Sequence, residues 1–352
     1  MNPGNEQDSI TYKHSGVDID AQDDALARIK RHLASTKTPG VLSDLGSFGG
    51  LFASPQNVVD PVLVSSMDGV GTKLMVAWKA NRHDTVGACL VNHCVNDILV
   101  MGARPLFFLD YFATAKLDPA VLEAVVAGIA RACRENNCAL IGGETAELPE
   151  MYKPGEYDLA GTIVGLVAKR AILDGSRVKA GDIVFGLKSS GLHTNGYSLA
   201  RRVVFERLGL TFNDPMPGTG VSVADALLAV HRSYYPLLAS PLEQSLVAAL
   251  AHITGGGLTD NLPRVLPSAL DAELQLGSWE IPGLFRTLIE VGKVPQEDAL
   301  RTFNLGVGMV AIVAERDADA FSAAMSLHDE LPMPIGRIVP GQRRVTYRGV
   351  LV

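Results

Sequence analysis

Hydrophobic and polar positions alternate between two rhythms along the chain. Short apolar runs, bounded by glycine or small polar residues, predict strands at 62–66, 106–112, 138–142 and 159–168. Between them, apolar residues recur at three- and four-residue spacing and predict helices at 84–101 and 118–136, with a shorter one at 23–34. A second series follows, with strands at 182–187, 270–275, 307–314 and 334–339. Its helices are expected at 196–208, 222–239, 242–250, 281–291 and 317–328. Strands mixed with helices in both halves predict an α/β (α+β) fold of two domains. The join is expected within 169–180, where Asp174-Gly175-Ser176 and Ala180-Gly181-Asp182 break the pattern. The division is therefore an arm at 1–20, an N-terminal domain at 21–172 and a C-terminal domain at 173–352.

Composition narrows the class. The 352 residues are 47% hydrophobic and 20% charged, as expected of a globular chain with enough length for two cores. A net charge of −7 with no basic stripe argues against a nucleic-acid partner. The longest apolar stretch, about 305–314, is too short to span a bilayer, and Asn2, Glu6, Asp8 and Lys13 leave no signal-peptide core, so a cytoplasmic location is expected. Cys89/Cys94 and Cys133/Cys138 lie in apolar surroundings and read as buried, reduced thiols rather than a zinc site.

Chemistry concentrates where apolar runs end. After Val62-Leu63-Val64, the segment Asp68-Gly69-Val70-Gly71-Thr72-Lys73 sets a carboxylate, flexible glycines, a hydroxyl and an ammonium at a strand end. Those groups suit a magnesium–polyphosphate complex, although the spacing is not that of a Walker A loop. Within the 84–101 helix, Asn92 stands over Asn96 and His93 over Asp97. A carboxylate in so apolar a helix needs a partner, either a metal ion, with Asp97 as a second magnesium ligand, or a structural, helix-capping hydrogen bond; His93 reads as a satisfied core histidine. Gly142-Gly143-Glu144-Thr145-Ala146-Glu147 follows another apolar strand and is expected to be a ligand loop, with a β-bulge of solvated acids as the alternative. The glycine-rich segment 43–50 contains Gly46, Phe48, Gly49 and Gly50; it is equally a ligand loop or a surface turn.

The second half offers Ser189-Ser190-Gly191-Leu192-His193-Thr194-Asn195-Gly196. Here Thr194 or Asn195 is placed to cap a helix whose N-terminus would attract a substrate phosphate. Gly255, Gly256 and Gly257, after His252, and the run 301–309 are poor core material and suit close approach to a ligand or to another backbone.

Together these motifs resemble the phosphoribosylformylglycinamidine cyclo-ligase family, the aminoimidazole ribonucleotide synthetases, from Tyr12-Lys13-His14-Ser15-Gly16-Val17-Asp18 to Ile335-Gly336. The 68–73 motif is shared with a wider ATP-using superfamily: selenophosphate synthetase, thiamine-monophosphate kinase, a hydrogenase-maturation protein and formylglycinamidine ribonucleotide synthetase. The order of 142–147, 189–198, 252–267 and 301–309 is specific to the cyclo-ligase. Ser47 and Glu150 stand where the family usually has glycine.

The resemblance implies a homodimer whose N-terminal sheets pair, with ATP and Mg2+ near that interface and formylglycinamidine ribonucleotide between the two domains. It implies metal on Asp68 and Asp97, and ATP on Lys30, the 43–50 loop, 68–73, Asn96, Gly142, Gly143 and Thr145. Substrate would lie on Ser189, Ser190, Gly191, His193, Thr194, Asn195, Gly255 and Gly256. Lys73, Asp97, Glu144 and His193 are the expected catalytic groups, with His193 handling protons and Glu144 meeting the amidine. Another kinase or synthetase of the superfamily, or a non-catalytic nucleotide-binding regulatory dimer, is the alternative reading.

Overall fold

The computed structural model describes residues 19–43 and 49–351. The expected roles of Gly46 and Phe48, and the 12–18 motif, lie outside them.

The first half builds a four-stranded sheet in the order β1-β4-β2-β3 from β1 (Pro61–Gly69), β2 (Arg104–Thr114), β3 (Ala139–Glu147) and β4 (Tyr157–Ala168). β4 pairs antiparallel with β1 and β2, while β2 and β3 run parallel, so the sheet is mixed as expected. Helices α1 (Ile19–Ala34), α2 (Leu74–Ala80), α3 (Val86–Leu99) and α4 (Pro119–Glu135) accompany it. α4 begins where its pattern predicts, because the Asp118 side chain accepts from the Ala120 and Val121 amides and a proline occupies the first turn. Every residue of α3 except Asp97 is buried. That helix packs on β1, β4 and α4 and also reaches the second half, so it is apolar on nearly every side.

The second half is a six-stranded mixed sheet, β10-β7-β9-β5-β8-β6. Its strands are β5 (Ile183–Lys188), β6 (Ala249–His252), β7 (Leu270–Gln275), β8 (Val307–Val313), β9 (Met333–Pro340) and β10 (Val345–Arg348). All seven residues of the central β8 are buried. The helices are α5 (Tyr197–Arg201), continued by a π-helical turn at Arg202–Arg207, then α6 (Val223–Leu228), α7 (Tyr235–Glu243), α8 (Gly257–Asn261), α9 (Gly283–Gly292), α10 (Gln296–Thr302) and α11 (Ala318–Ser326).

Three expectations are corrected. The helix at 222–239 is two helices separated by an extended stretch, because residues 231–234 use their backbone to bond the side chains of α3. The helix at 242–250 is a turn followed by β6: pairing with the buried β8 overrides the helical preference of Ala249, Leu250 and Ala251. The glycine segment 142–147 is no loop but the second half of β3, in register with Leu109–Thr114 of β2. Glu150, at a family glycine position, has a left-handed φ of 70°.

Candidate active site

Alternation along β1 turns Ser66 and Asp68 toward α3, where His93 and Asp97 face them one helical turn apart. His93 Nε2 lies 2.9 Å from Asp68 Oδ2 and 3.8 Å from Asp97 Oδ2. The Ser66 hydroxyl donates to Asp97 Oδ2 at 3.1 Å. From the second half, at the end of β6, His252 brings Nδ1 to 2.8 Å from Asp97 Oδ1. Of these groups, Asp68 and His93 reach the wall of a cavity of about 390 Å³ at the seam of the two halves, lined also by Gly71, Thr194, Asn195 and Gly255 among others. Gly71, at a φ of +67° with open space around it, lets the chain turn at the cavity lip.

Beneath the wall lies a layer of histidines. His193 stacks on His231 with ring centroids 4.0 Å apart, and His231 Nε2 is 3.0 Å from His252 Nε2. Thr194 Oγ1 is 2.7 Å from His93 Nδ1 and 3.4 Å from His231 Nδ1. Gly308 is required here, since a Cβ would strike the Tyr234 hydroxyl and the His193 ring. Burial, aided by the neighbouring histidines, holds His193 and His231 well below the ordinary imidazole range, and burial also lowers His252 against the pull of Asp97. Burial acts against the charge on His93, but its bond to Asp68 together with the charges of Asp97 and Asp68 outweighs this and raises it. The carboxyls of Asp68 and Asp97 are both held low: burial opposes their ionisation, and the donors His93 and His252 overcome it.

The structure places the expected residues unevenly. Asp68, Thr194, Asn195 and Gly255 meet at the cavity, and His93, read as a core residue, joins them; Asp97 does not line it and is held by His252 and Ser66 beside His93. Thr72 and Gly71 are exposed at its lip. Lys73 is a correction: fully buried, its ammonium donates to Cys89 Sγ at 3.1 Å, the His193 carbonyl at 3.0 Å and the Ala229 carbonyl at 2.6 Å. It fastens the halves together and points to no phosphate. Asn96 is another, because its amide is consumed by the Arg232 carbonyl and the Tyr234 amide.

Ser189 and Ser190 direct their hydroxyls to Asn304 and the Val230 carbonyl, and neither Thr194 nor Asn195 caps α5, whose N-cap is Gly196. His193 lies below the cavity wall rather than in it, with Nδ1 unpartnered. Gly142, Gly143, Glu144 and Thr145 sit on β3, at the opposite sheet edge from Asp68. Three strand spacings separate them, roughly 14 Å. Lys30 lies on that same side, in a second pocket of about 320 Å³ with Leu33, Lys37, Ser43, Leu140 and Ile141. One chain therefore does not bring Lys30 or Glu144 to the Asp68 cavity. All four cysteines are buried and unbridged.

His231 escaped the sequence reading entirely. Its signal, a polar residue in a stretch where two predicted helix turns fail, is too weak to be seen without the tertiary contacts.

Comparison with known proteins fits this arrangement. The family description "AIR synthase related protein, N-terminal domain" matches residues 56–167, and "AIR synthase related protein, C-terminal domain" matches 179–348. The chain is 53% identical over 346 residues to a phosphoribosylformylglycinamidine cyclo-ligase of Sorangium cellulosum, covering 96% of this chain and 99% of the relative. It is 51% identical over 340 residues to that of Geobacter sulfurreducens, covering 96% and 98%. Among solved structures, thiamine-monophosphate kinase of Stenotrophomonas maltophilia shares the fold with a TM-score of 0.67 at 20% identity, covering 93% of this chain and 97% of its own. HypE of E. coli does so at 0.66 and 20%, covering 94% of each. With both halves matched and half the sequence identical over nearly its whole length, the chain belongs to the phosphoribosylformylglycinamidine cyclo-ligase family of the AIR synthase fold.

Proposed function

We propose that the cavity between Asp68, His93, Thr194, Asn195 and Gly255, with Asp97 behind His93, is where this chain closes the imidazole ring of formylglycinamidine ribonucleotide, giving aminoimidazole ribonucleotide, ADP and phosphate. The observation that carries the reading is an ionised carboxylate, Asp68, on an open cavity at the domain seam, with a second, Asp97, joined to it through His93. In support, HypE has been solved in complex with ATP and a T. maritima PurL with AMPPCP, both on this fold.

A formamide oxygen is a poor leaving group, so the γ-phosphoryl group is transferred to it first. The amidine nitrogen then attacks the same carbon, phosphate departs and a proton is lost as the ring closes. Such transfer depends on positioning and charge neutralisation. The donor chemistry of Asp68, at the cavity, and Asp97, beside it, both hard carboxylate oxygens, fits Mg2+, which when bound would neutralise phosphate charge. Ser66 and His252 hold the Asp97 carboxylate, and His93 holds that of Asp68. Asn195, Thr254 and Gly255 supply the opposite wall for the ribonucleotide. His193 acts through position: its stacked ring fixes His231, and through it His252.

We further assign a homodimer through the open face of β1, where Leu63 and Met67 are 67% and 66% exposed. In that assembly the Lys30 pocket of one copy serves the cavity of the other, which reconciles the roughly 14 Å between them in one chain. Asp97→Asn tests the metal assignment. Turnover is expected to fall by roughly two to three orders of magnitude, as for loss of one transition-state charge contact, with the chain still folded. Turnover near the parent's at limiting Mg2+ refutes the assignment.

A further inference from the structure

Two carboxylates would suffice for a hard cation, yet the wall presents two imidazole nitrogens beside them. The ligand atoms of His93, Asp97 and His252 all lie within 4.8 Å of one another, and Asp68 Oδ2 adds a fourth at 2.9 Å from His93 Nε2. Each imidazole is arranged as a metal-bound histidine usually is, with one nitrogen toward the acids and the other held from behind. His93 turns Nε2 to the carboxylates while its Nδ1 meets Thr194 Oγ1 at 2.7 Å. His252 turns Nδ1 to Asp97 while its Nε2 meets His231 Nε2 at 3.0 Å. The two rings stand nearly perpendicular, at 80°, so their lone pairs can converge on one point.

The neighbouring trio His193, His231 and His252 fails that test. His193 and His231 are stacked at 20° with centroids 4.0 Å apart, which confines their lone pairs to nearly parallel planes that do not meet at one ion.

We propose that His93 and His252, with Asp68 and Asp97, form a mixed nitrogen–oxygen site that binds a borderline divalent transition ion, of the Mn2+ to Zn2+ series, more tightly than Mg2+. Imidazole favours such ions, whereas Mg2+ prefers oxygen and keeps its waters. The separations now spanned by hydrogen bonds, 2.8 to 3.8 Å, match those between neighbouring ligands of one ion at 2.0–2.2 Å once the shared protons leave. The cavity in front of His93 and Asp68 leaves room for a water or a phosphate oxygen to complete the shell. The inference deepens the metal assignment above and shares with it Asp68 and Asp97.

The test uses the full chain, stripped of metal by chelation and free of nucleotide, titrated with Co2+ and followed by its visible absorption. One ion should bind per chain with a nitrogen-shifted ligand-field spectrum, and a hundredfold excess of Mg2+ should not displace it. His252→Gln and His93→Gln should each weaken Co2+ binding at least tenfold and alter the spectrum. Displacement by equimolar Mg2+, or an unchanged spectrum and affinity in both variants, overturns the proposal. Should the variants not fold, pulsed electron paramagnetic resonance of Mn2+ bound to the parent decides alone: nitrogen coupling supports the site and its absence overturns it. Because no nucleotide is present, the result stands apart from turnover. Loss of Mg2+-dependent activity in Asp97→Asn tests the earlier assignment on its own.

Discussion

Replacing Lys73 by methionine separates two roles that one motif suggests for it. As a phosphate ligand, its loss would weaken nucleotide binding and leave stability nearly unchanged. As the structure places it, the ammonium is fully buried and bonds Cys89 in the first half and the His193 and Ala229 carbonyls in the second. It also lies 5.6 Å from the Tyr197 ring centroid. Hydrogen bonds from a charged donor contribute about 1.5–3 kcal/mol each, and those of one group are not additive. Methionine fills the volume but orphans two buried carbonyls, so the expected loss is about 3–5 kcal/mol. Urea unfolding at pH 7.5 measures it as a drop in midpoint at constant slope. Calorimetric titration of the folded variant with ATP and Mg2+ should give an affinity within about threefold of the parent, because the nucleotide loses no direct contact. A stability loss below about 1 kcal/mol with at least a tenfold loss of ATP affinity refutes the reasoning and returns the lysine to the phosphate.

Other consequences follow from buried charge and from the separation of the two pockets. Asp110, facing Gly143 on β3, has its carboxyl raised by burial from 3.8 to about 7, its own backbone hydrogen bond opposing. The folded state therefore binds this proton more tightly, and stability present below pH 3.8 is lost as pH rises through about 7. The upper bound is about 4 kcal/mol. Asp110→Asn should unfold like the parent near pH 4 and be more stable at pH 8; parallel stability–pH curves contradict this. Lys30→Ala should weaken ATP binding without changing stability, since the side chain is exposed. At an ATP concentration too low to support the Lys30→Ala enzyme, mixing Lys30→Ala and Asp97→Asn dimers under exchanging conditions should restore about a quarter of parental activity, because half the dimers are mixed and each holds one intact shared site. No recovery places both residues in one subunit's site.

Much of the architecture was legible because its strongest signals are periodic. The apolar runs at 62–66, 106–112 and 307–314 all formed strands, although the first, β1, is an edge strand with no buried residue, and α3 and α4 carried unbroken helical spacing. β6 was not legible, since Ala249, Leu250 and Ala251 favour a helix until β8 offers an edge to pair with. The site was half legible. Asp68 and Asp97 stood out as carboxylates in apolar settings, but His252, which holds Asp97, lies 155 residues away in sequence, and His231 behind it falls in a segment that read as helix. Lys73 misled because an ammonium after Gly-Thr suggests phosphate equally well whether it points to solvent or into the seam. The glycines of 142–147 misled because they also permit close strand packing: at Gly143 the room is filled by the Asp110 side chain.

The central claim is the ring closure itself. It is tested most directly by ADP release from ATP and Mg2+ with formylglycinamidine ribonucleotide, run beside selenide and thiamine monophosphate. Stoichiometric ADP and aminoimidazole ribonucleotide with the first substrate, and background release with the other two, is the predicted result. Release with selenide or thiamine monophosphate and none with formylglycinamidine ribonucleotide would contradict it.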